Sequence, residues 1–248
     1  SVYNLISQYV LIIGSIVALV FLAVAGNEKR AAAGLTRQNW KSAVFIVLLF
    51  VGIYIVRTVV SMAGQGVFDG NGMQYVKEWA AMFKDPVMWL NIVALPINYF
   101  FVFIAFFGEE YGWRYYLQPI LQKKFGLRAG VIVLGVVWGL WHIPDDLFYY
   151  TQTSGIQMIF AQQITCIALG IFFAYAYMKT KNIWVPVCLH YLNNNLIPII
   201  SGTFSADVLE NQTVSWKELP AALVLNGLCF GFFLLADVFK KKEVQKED

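Results

Sequence analysis

The sequence predicts an all-α protein whose helices cross a lipid bilayer several times. Of its 248 residues, 59% are apolar and only 13% are charged, whereas a soluble domain usually carries about 25% charged residues. The mean hydropathy is +0.61, and a soluble chain of this length cannot bury so much apolar surface. The apolar residues also occur in long runs with basic residues near their ends, which is typical of a polytopic membrane protein.

Seven apolar runs are long enough to be transmembrane helices, since crossing about 30 Å of hydrocarbon takes about 20 residues. The first run has no basic residue before it, so we interpret it as a membrane helix and not as a cleaved signal peptide. The third is expected to continue as a helix beyond Phe107, and the segment before it, residues 64–86, to form a short helix on the membrane surface. We predict a single integral membrane domain over residues 1–248, with a motif-bearing core at about 95–200. The predicted spans are residues 6–25, 42–63, 87–107, 127–142, 155–178, 183–200 and 219–239.

The distribution of basic residues predicts the orientation, because lysine and arginine favour the cytoplasmic side of a membrane. They cluster in every second connection and in the C-terminal tail, whereas the connection after His142 carries Asp145 and Asp146 and no cation. We therefore predict a multi-pass protein of the cell membrane with its N-terminus outside and its C-terminus in the cytoplasm. The net charge of +3 is too small to indicate nucleic acid as a partner.

Two adjacent glutamates stand out in the third helix, because an ionisable side chain inside a span costs about 2.5–3.5 kcal/mol on insertion scales. Glu110 and Arg114 are four residues apart, in the favoured order for a helical ion pair. Glu109 lies about 100° around the helix and lacks that partner. A free carboxylate beside a paired one suits a general base, although two structural glutamates at a helix end would look the same.

Both histidines of the chain share a helix face with a second distinctive residue one turn away. Trp138 precedes His142 by four residues, and His190 precedes Asn194 by four. Taken singly, His142 fits a residue that caps its helix at the interface. His190 and Asn194 equally fit an interhelical hydrogen bond, which polar residues often provide in membranes.

The depths of these residues in the bilayer favour a shared site. Counted from the cytoplasmic end of each helix, Glu109 lies about 21 Å deep and His142 about 22 Å, by the rise per residue. His190 and Asn194 lie about 12 and 18 Å deep by the same rise. The depth of Glu109 assumes that the third helix continues through Gly112 to Lys123. Three helices would then bring one carboxylate, two imidazoles and one amide to overlapping depths.

This ordered set resembles the motifs EExxxR, FxxxH and HxxxN of the CAAX-processing and bacteriocin-processing (CPBP) intramembrane proteases. The motifs lie in the same order on successive apolar segments and cover about the middle third of the chain. The corresponding residues, with tryptophan in place of the usual phenylalanine, are Glu109, Glu110, Arg114, Trp138, His142, His190 and Asn194.

The resemblance implies an intramembrane endopeptidase of the type II CAAX protease group. Glu109 would then activate a water molecule that His142 helps to hold, and His190 and Asn194 would stabilise the oxyanion. Histidine and asparagine can both donate hydrogen bonds to an oxyanion, and a glutamate in a low dielectric can act as a base. The supporting residues would be Glu110, Arg114 and Trp138.

The sequence leaves alternatives open for the cofactor and for the class of function. Glu109, His142 and His190 match a catalytic zinc ligand set, so the sequence fits either no cofactor or a single zinc ion. The chain has no HExxH motif, and we favour the metal-free mechanism. The expected partners are the lipid bilayer and a peptide or membrane-protein substrate. The alternatives are a non-proteolytic protein on the same scaffold, such as a bacteriocin-immunity protein or signalling partner, and a proton-coupled transporter, which would predict an inverted repeat.

Overall fold

The computed structural model describes residues 34–35, 38–202 and 206–240, together with residues 16–17, 20 and 23–24. Regular structure in this part of the chain is entirely helical, which confirms the all-α fold class. The α-helices are α1 (Trp40–Asp69), α2 (Gly72–Met82), α3 (Pro86–Glu110), α4 (Gln118–Phe125), α5 (Leu127–Trp141), α6 (Ile143–Phe148), α7 (Gly155–Thr180), α8 (Trp184–Ser201), α9 (Ala206–Glu210) and α10 (Leu219–Cys229).

Four helical segments of the described residues are long and apolar enough to cross a membrane. They contain the predicted spans 42–63, 87–107, 127–142 and 155–178. The predicted span 183–200 corresponds to the 18 residues of α8, and the predicted first span, residues 6–25, lies largely outside the described residues. The total of seven spans and their orientation remain predictions. The four segments are Trp40–Gly64, Pro86–Phe125, Leu127–Phe148 and Gly155–Thr180.

The third predicted span belongs to an unbroken helical segment of 40 residues, Pro86–Phe125. Its N-terminus is capped by Asp85, whose carboxylate accepts a hydrogen bond from the Val87 backbone N–H at 2.8 Å. Beyond α3 the helix widens into a π-helical turn, Tyr111–Leu117, and then continues as α4. The predicted continuation through Gly112 is therefore confirmed.

The last predicted span, residues 219–239, is wrong as a continuous helix. α10 ends at Cys229, and short 3₁₀ turns follow at Gly231–Leu235 and Asp237–Phe239. Phe230 leaves helical geometry with φ −123° and is fully buried, with its ring 5.1 Å from the ring of Tyr54. Packing of this aromatic side chain in the core decides where the helix ends.

The segment between the second and third predicted spans contains α2, which confirms the expected short helix; its place on the membrane surface stays a prediction. α1 extends to Asp69, beyond its predicted end at residue 63. The Trp79 indole N–H of α2 donates a hydrogen bond to the Ile200 carbonyl at 2.6 Å. This bond attaches α2 to the C-terminal end of α8.

α5 and α7 pack closely because small residues line their contact. A Cβ atom at Gly135 would lie 2.6 Å from the Ile167 Cα, and one at Gly139 would lie 2.5 Å from the Gln163 amide nitrogen. Small residues at such positions let membrane helices approach each other. The close approach brings the end of α5, which precedes His142, against the middle of α7.

Aromatic packing holds α1 against α7. Phe50 is fully buried, and its ring lies 5.6 Å from Phe172 and 6.0 Å from Phe173. Leu189 of α8 belongs to the same core cluster. The core therefore joins α1, α7 and α8 directly beside His190.

Candidate active site

The first part of the site is a buried ion pair at the junction of α3 and the π-helical turn. The Arg114 Nε atom lies 2.8 Å from Glu110 Oε2, and both side chains are fully buried. The predicted pair of Glu110 and Arg114 is therefore present. π-Helical turns within α-helices are frequent at functional sites, and this one carries Arg114.

Glu110 also contacts His190, a partner that the sequence reasoning did not find. His190 Nδ1 lies 2.9 Å from the second carboxylate oxygen, Oε1. Since a carboxylate only accepts, the imidazole Nδ1–H is the donor. A continuous chain of contacts thus runs from Arg114 through Glu110 to His190. It holds the histidine ring in one orientation and leaves Nε2 as its other polar atom.

Trp138 lies between the two histidines. Its ring centroid is 5.8 Å from that of His142 and 5.4 Å from that of His190, both edge to face. The Arg114 guanidinium lies over the same indole at 5.1 Å, a cation–π contact. Trp138 therefore connects all three helices that carry the motifs.

His142 directly follows the last residue of α5. Its Nδ1 lies 2.8 Å from the Trp138 carbonyl oxygen, so Nδ1–H is the donor and the neutral ring has an unprotonated Nε2. Nδ1 also lies 3.8 Å from the Cys166 sulfur. His142 is half-buried, so an acceptor nitrogen is available to a bound water or substrate.

Glu109 differs from its neighbour as the sequence predicts. It is half-buried, and among the described residues its carboxylate makes no hydrogen bond and no ion pair. Its charge acts on His190 and on Cys166, the thiol beside His142. One glutamate is thus held by Arg114 and His190, while the other has no such partner among the described residues and lies close enough for its charge to act on His190.

Asn194 is exposed on α8, one turn beyond His190. Its side-chain carbonyl accepts a hydrogen bond from the Asn193 amide at 2.9 Å. Asn193 in turn accepts a hydrogen bond from the Tyr54 hydroxyl of α1. Asn194 is predicted from the sequence, whereas Tyr54 and Asn193 are not, because nothing in the sequence indicates which face of α1 meets α8.

Asp146 is a further buried carboxylate near the site. It is fully buried on α6, and neither carboxylate oxygen has a hydrogen-bond partner in the described chain. It lies four residues after His142, and its charge acts on Cys166. By composition Asp146 belongs to a predicted outer connection, although its one-turn spacing from His142 is a sequence signal that points to it.

The candidate zinc ligands do not form a metal-binding set. Among the residues that the structure describes, no group of three or more histidine, cysteine, aspartate or glutamate side chains could hold a metal ion. The arrangement therefore does not fit the ligand set of Glu109, His142 and His190, and no step is assigned to a metal.

The middle of the chain matches a known protein family. Residues 89–196 match the family described as "Type II CAAX prenyl endopeptidase Rce1-like". That range includes every residue of the three motifs. The architecture and the family match thus concern the same helices, α3 to α8.

Two curated proteins are similar to the chain. "CAAX prenyl protease 2" of Methanococcus maripaludis is 26% identical over 140 residues, which are 53% of this chain and 49% of the relative. "Putative membrane peptidase YdiL" of Bacillus subtilis is 25% identical over 118 residues, 47% of this chain and 42% of the relative. The chain spans about half the length of the curated relatives it matches. No solved structure matches the chain.

Proposed function

Because residues 89–196 match the type II CAAX prenyl endopeptidase family and include all three CPBP-like motifs, we propose that the chain is an intramembrane endopeptidase of this family, which hydrolyses a peptide bond with a water activated by Glu109. The observation that carries the proposal is the difference between the two glutamates. Glu110 is held by Arg114 and His190, whereas Glu109 makes no hydrogen bond or ion pair among the described residues, and its charge acts on His190. A carboxylate with no internal partner can accept a proton without breaking an existing contact.

The first step is the attack of water on the substrate carbonyl. Glu109 accepts a proton from the water, and the unprotonated Nε2 of His142 accepts a hydrogen bond that orients it. The water oxygen then forms a bond to the carbonyl carbon, and negative charge develops on the carbonyl oxygen. Donors placed beforehand at that oxygen are usually the largest contribution to such catalysis.

The proposed donors are His190 and Asn194 on α8. Donation from His190 Nε2 requires the doubly protonated ring, and the Glu110 carboxylate supplies the counter-charge which that form needs. Glu109 then passes its proton to the nitrogen of the departing amine as the carbon–nitrogen bond breaks. The products are a carboxylic acid, which then ionises in water, and an amine, and Glu109 is regenerated.

The proposed substrate is a peptide or a membrane protein whose cleaved bond reaches the site within the membrane. The Methanococcus relative is named as a CAAX prenyl protease. A peptide with a prenylated cysteine near its C-terminus is therefore the first substrate to test. An unprenylated peptide of the same sequence is the matched comparison. The proposed location is the cell membrane.

The test compares cleavage of these quenched fluorescent peptides by purified parent protein and by Glu109→Gln in detergent. Glu78→Gln is the matched control, because Glu78 is exposed on α2 and accepts a hydrogen bond from Gln74 at 2.8 Å. We expect folded Glu109→Gln to lose cleavage by orders of magnitude and the control to retain it. Parent-like cleavage by Glu109→Gln would refute the assigned base. Absence of cleavage by the parent, with proton-coupled uptake in liposomes, would favour a transporter.

A further inference from the structure

A second chain of hydrogen bonds ends at Asn194 and starts on α1. The Tyr54 hydroxyl donates to the side-chain oxygen of Asn193, and the Asn193 amide donates to the side-chain oxygen of Asn194 at 2.9 Å. Tyr54 and Asn193 are 139 residues apart in sequence. The contact therefore depends on the packing of α1 against α8.

These two bonds decide which end of the Asn194 amide faces away from Asn193. An asparagine side chain has a carbonyl that accepts and an NH2 group that donates. The carbonyl of Asn194 is already occupied by Asn193, so the NH2 group is the end that remains for a ligand. An oxyanion needs a donor, and rotation of the amide by a half-turn would present an acceptor instead.

We propose that Tyr54 and Asn193 are positioning residues, which act through Asn194 by directing its NH2 group to the substrate oxyanion. This inference rests on the proposed peptidase function. The site would then hold each oxyanion donor by its own relay: Arg114 and Glu110 for His190, and Tyr54 and Asn193 for Asn194.

The position of the Tyr54 ring does not depend on its hydroxyl. The side chain is 4% exposed, and its ring packs at 4.9 Å from that of Phe50 and 5.1 Å from that of Phe230. The Arg57 guanidinium lies 5.6 Å from the same ring. Tyr54→Phe should therefore remove the first hydrogen bond of the relay and leave the core in place.

Tyr191→Phe is the matched control. The Tyr191 hydroxyl donates to the Leu95 carbonyl at 2.8 Å, and this bond is also buried. The control removes a phenol hydroxyl from α8, outside the relay to Asn194. Both variants should fold, and melting temperatures measured in detergent compare their structural effects.

The first experiment measures kcat and KM for the cleaved peptide. A neutral hydrogen bond contributes a factor of about 2 to 12, so Tyr54→Phe should lower kcat by about that factor with KM unchanged. Tyr191→Phe should keep the parent kcat. Equal kcat values for Tyr54→Phe and the parent would overturn the inference.

The second experiment places Tyr54→Phe on the Asn194→Ala background and measures single-turnover rates at high enzyme concentration. If Tyr54 acts through Asn194, the double variant should cleave as fast as Asn194→Ala alone, because effects on one shared interaction are not additive. A further loss equal to that of the single variant would overturn the inference and indicate a purely structural Tyr54. Both results leave the Glu109→Gln test unaffected, so the positioning role and the peptidase function can fail separately.

Discussion

Replacing Glu110 with glutamine tests the buried relay from Arg114 to His190. The variant keeps the side-chain volume and one acceptor oxygen but leaves Arg114 without its counter-charge. At a separation of 2.8 Å, unit charges attract by about 6 kcal/mol at an effective dielectric of 20. Breaking one partner of such a buried pair typically costs about 3–5 kcal/mol. Glu110→Gln should therefore be strongly destabilised.

The assay is thermal unfolding in detergent, followed by the intrinsic fluorescence of the tryptophans. For a chain of this length, each kcal/mol shifts the melting temperature by about 2–4 °C, so the expected decrease is roughly 6–20 °C. Glu109→Gln is the matched control, because the neighbouring carboxylate makes no ion pair in the described residues. It should melt close to the parent temperature and still lose cleavage.

A rescue variant separates lost charge balance from lost volume. Glu110→Gln combined with Arg114→Met removes both charges, and apolar replacement of a whole buried ion pair is often neutral or stabilising. The double variant should melt above Glu110→Gln alone. A parent-like melting temperature for Glu110→Gln would refute the reasoning about the pair. If folded Glu110→Gln were inactive while Glu109→Gln cleaved normally, the two glutamates would exchange roles.

Three further predictions concern the amide, the metal and the topology. Asn194→Ala should lower kcat by about 10²–10³, the usual effect of losing one oxyanion donor, with little change in KM. A variant with a lower melting temperature but the same kcat as the parent would remove Asn194 from the catalytic set. Treatment of the purified protein with a zinc chelator should leave cleavage unchanged, since Glu109, His142 and His190 do not assemble a ligand set. Loss of cleavage in the chelator, restored only by added zinc, would contradict this. A cysteine at Asp145, in a variant without the native cysteines, should react with an impermeant thiol reagent from the outside, and labelling only from the cytoplasmic side would reverse the predicted orientation.

The sequence indicated the site well where the interactions are local. Glu110 and Arg114 are one helical turn apart, so their pairing follows from helix geometry and is present in the structure. The continuous helix through Gly112 is equally a local property of an apolar segment. The same reasoning identified Glu109 as the carboxylate without that partner.

Contacts between distant segments could not be predicted from helical spacing. The hydrogen bond between His190 and Glu110 joins residues 80 positions apart, and several rotations of α8 would satisfy the same apolar pattern. The early end of α10 at Cys229 has the same origin, because the burial of Phe230 overrides an apolar run that could continue as a helix. The burial of Asp146 was not predicted, because it depends on the packing of α6 against α7.

The sequence by itself determined that this chain is all-α and membrane-embedded, because composition and run length decide whether helices face lipid or water. It also determined which residues carry the family motifs, and hence the class of chemistry to expect. Only the tertiary structure decided how those residues are connected: Trp138 between the two histidines, Glu110 between Arg114 and His190, and Tyr54 behind the asparagines. The physical reason is that side-chain orientation across helices depends on how their surfaces pack, and a single sequence specifies that packing only through the complete fold.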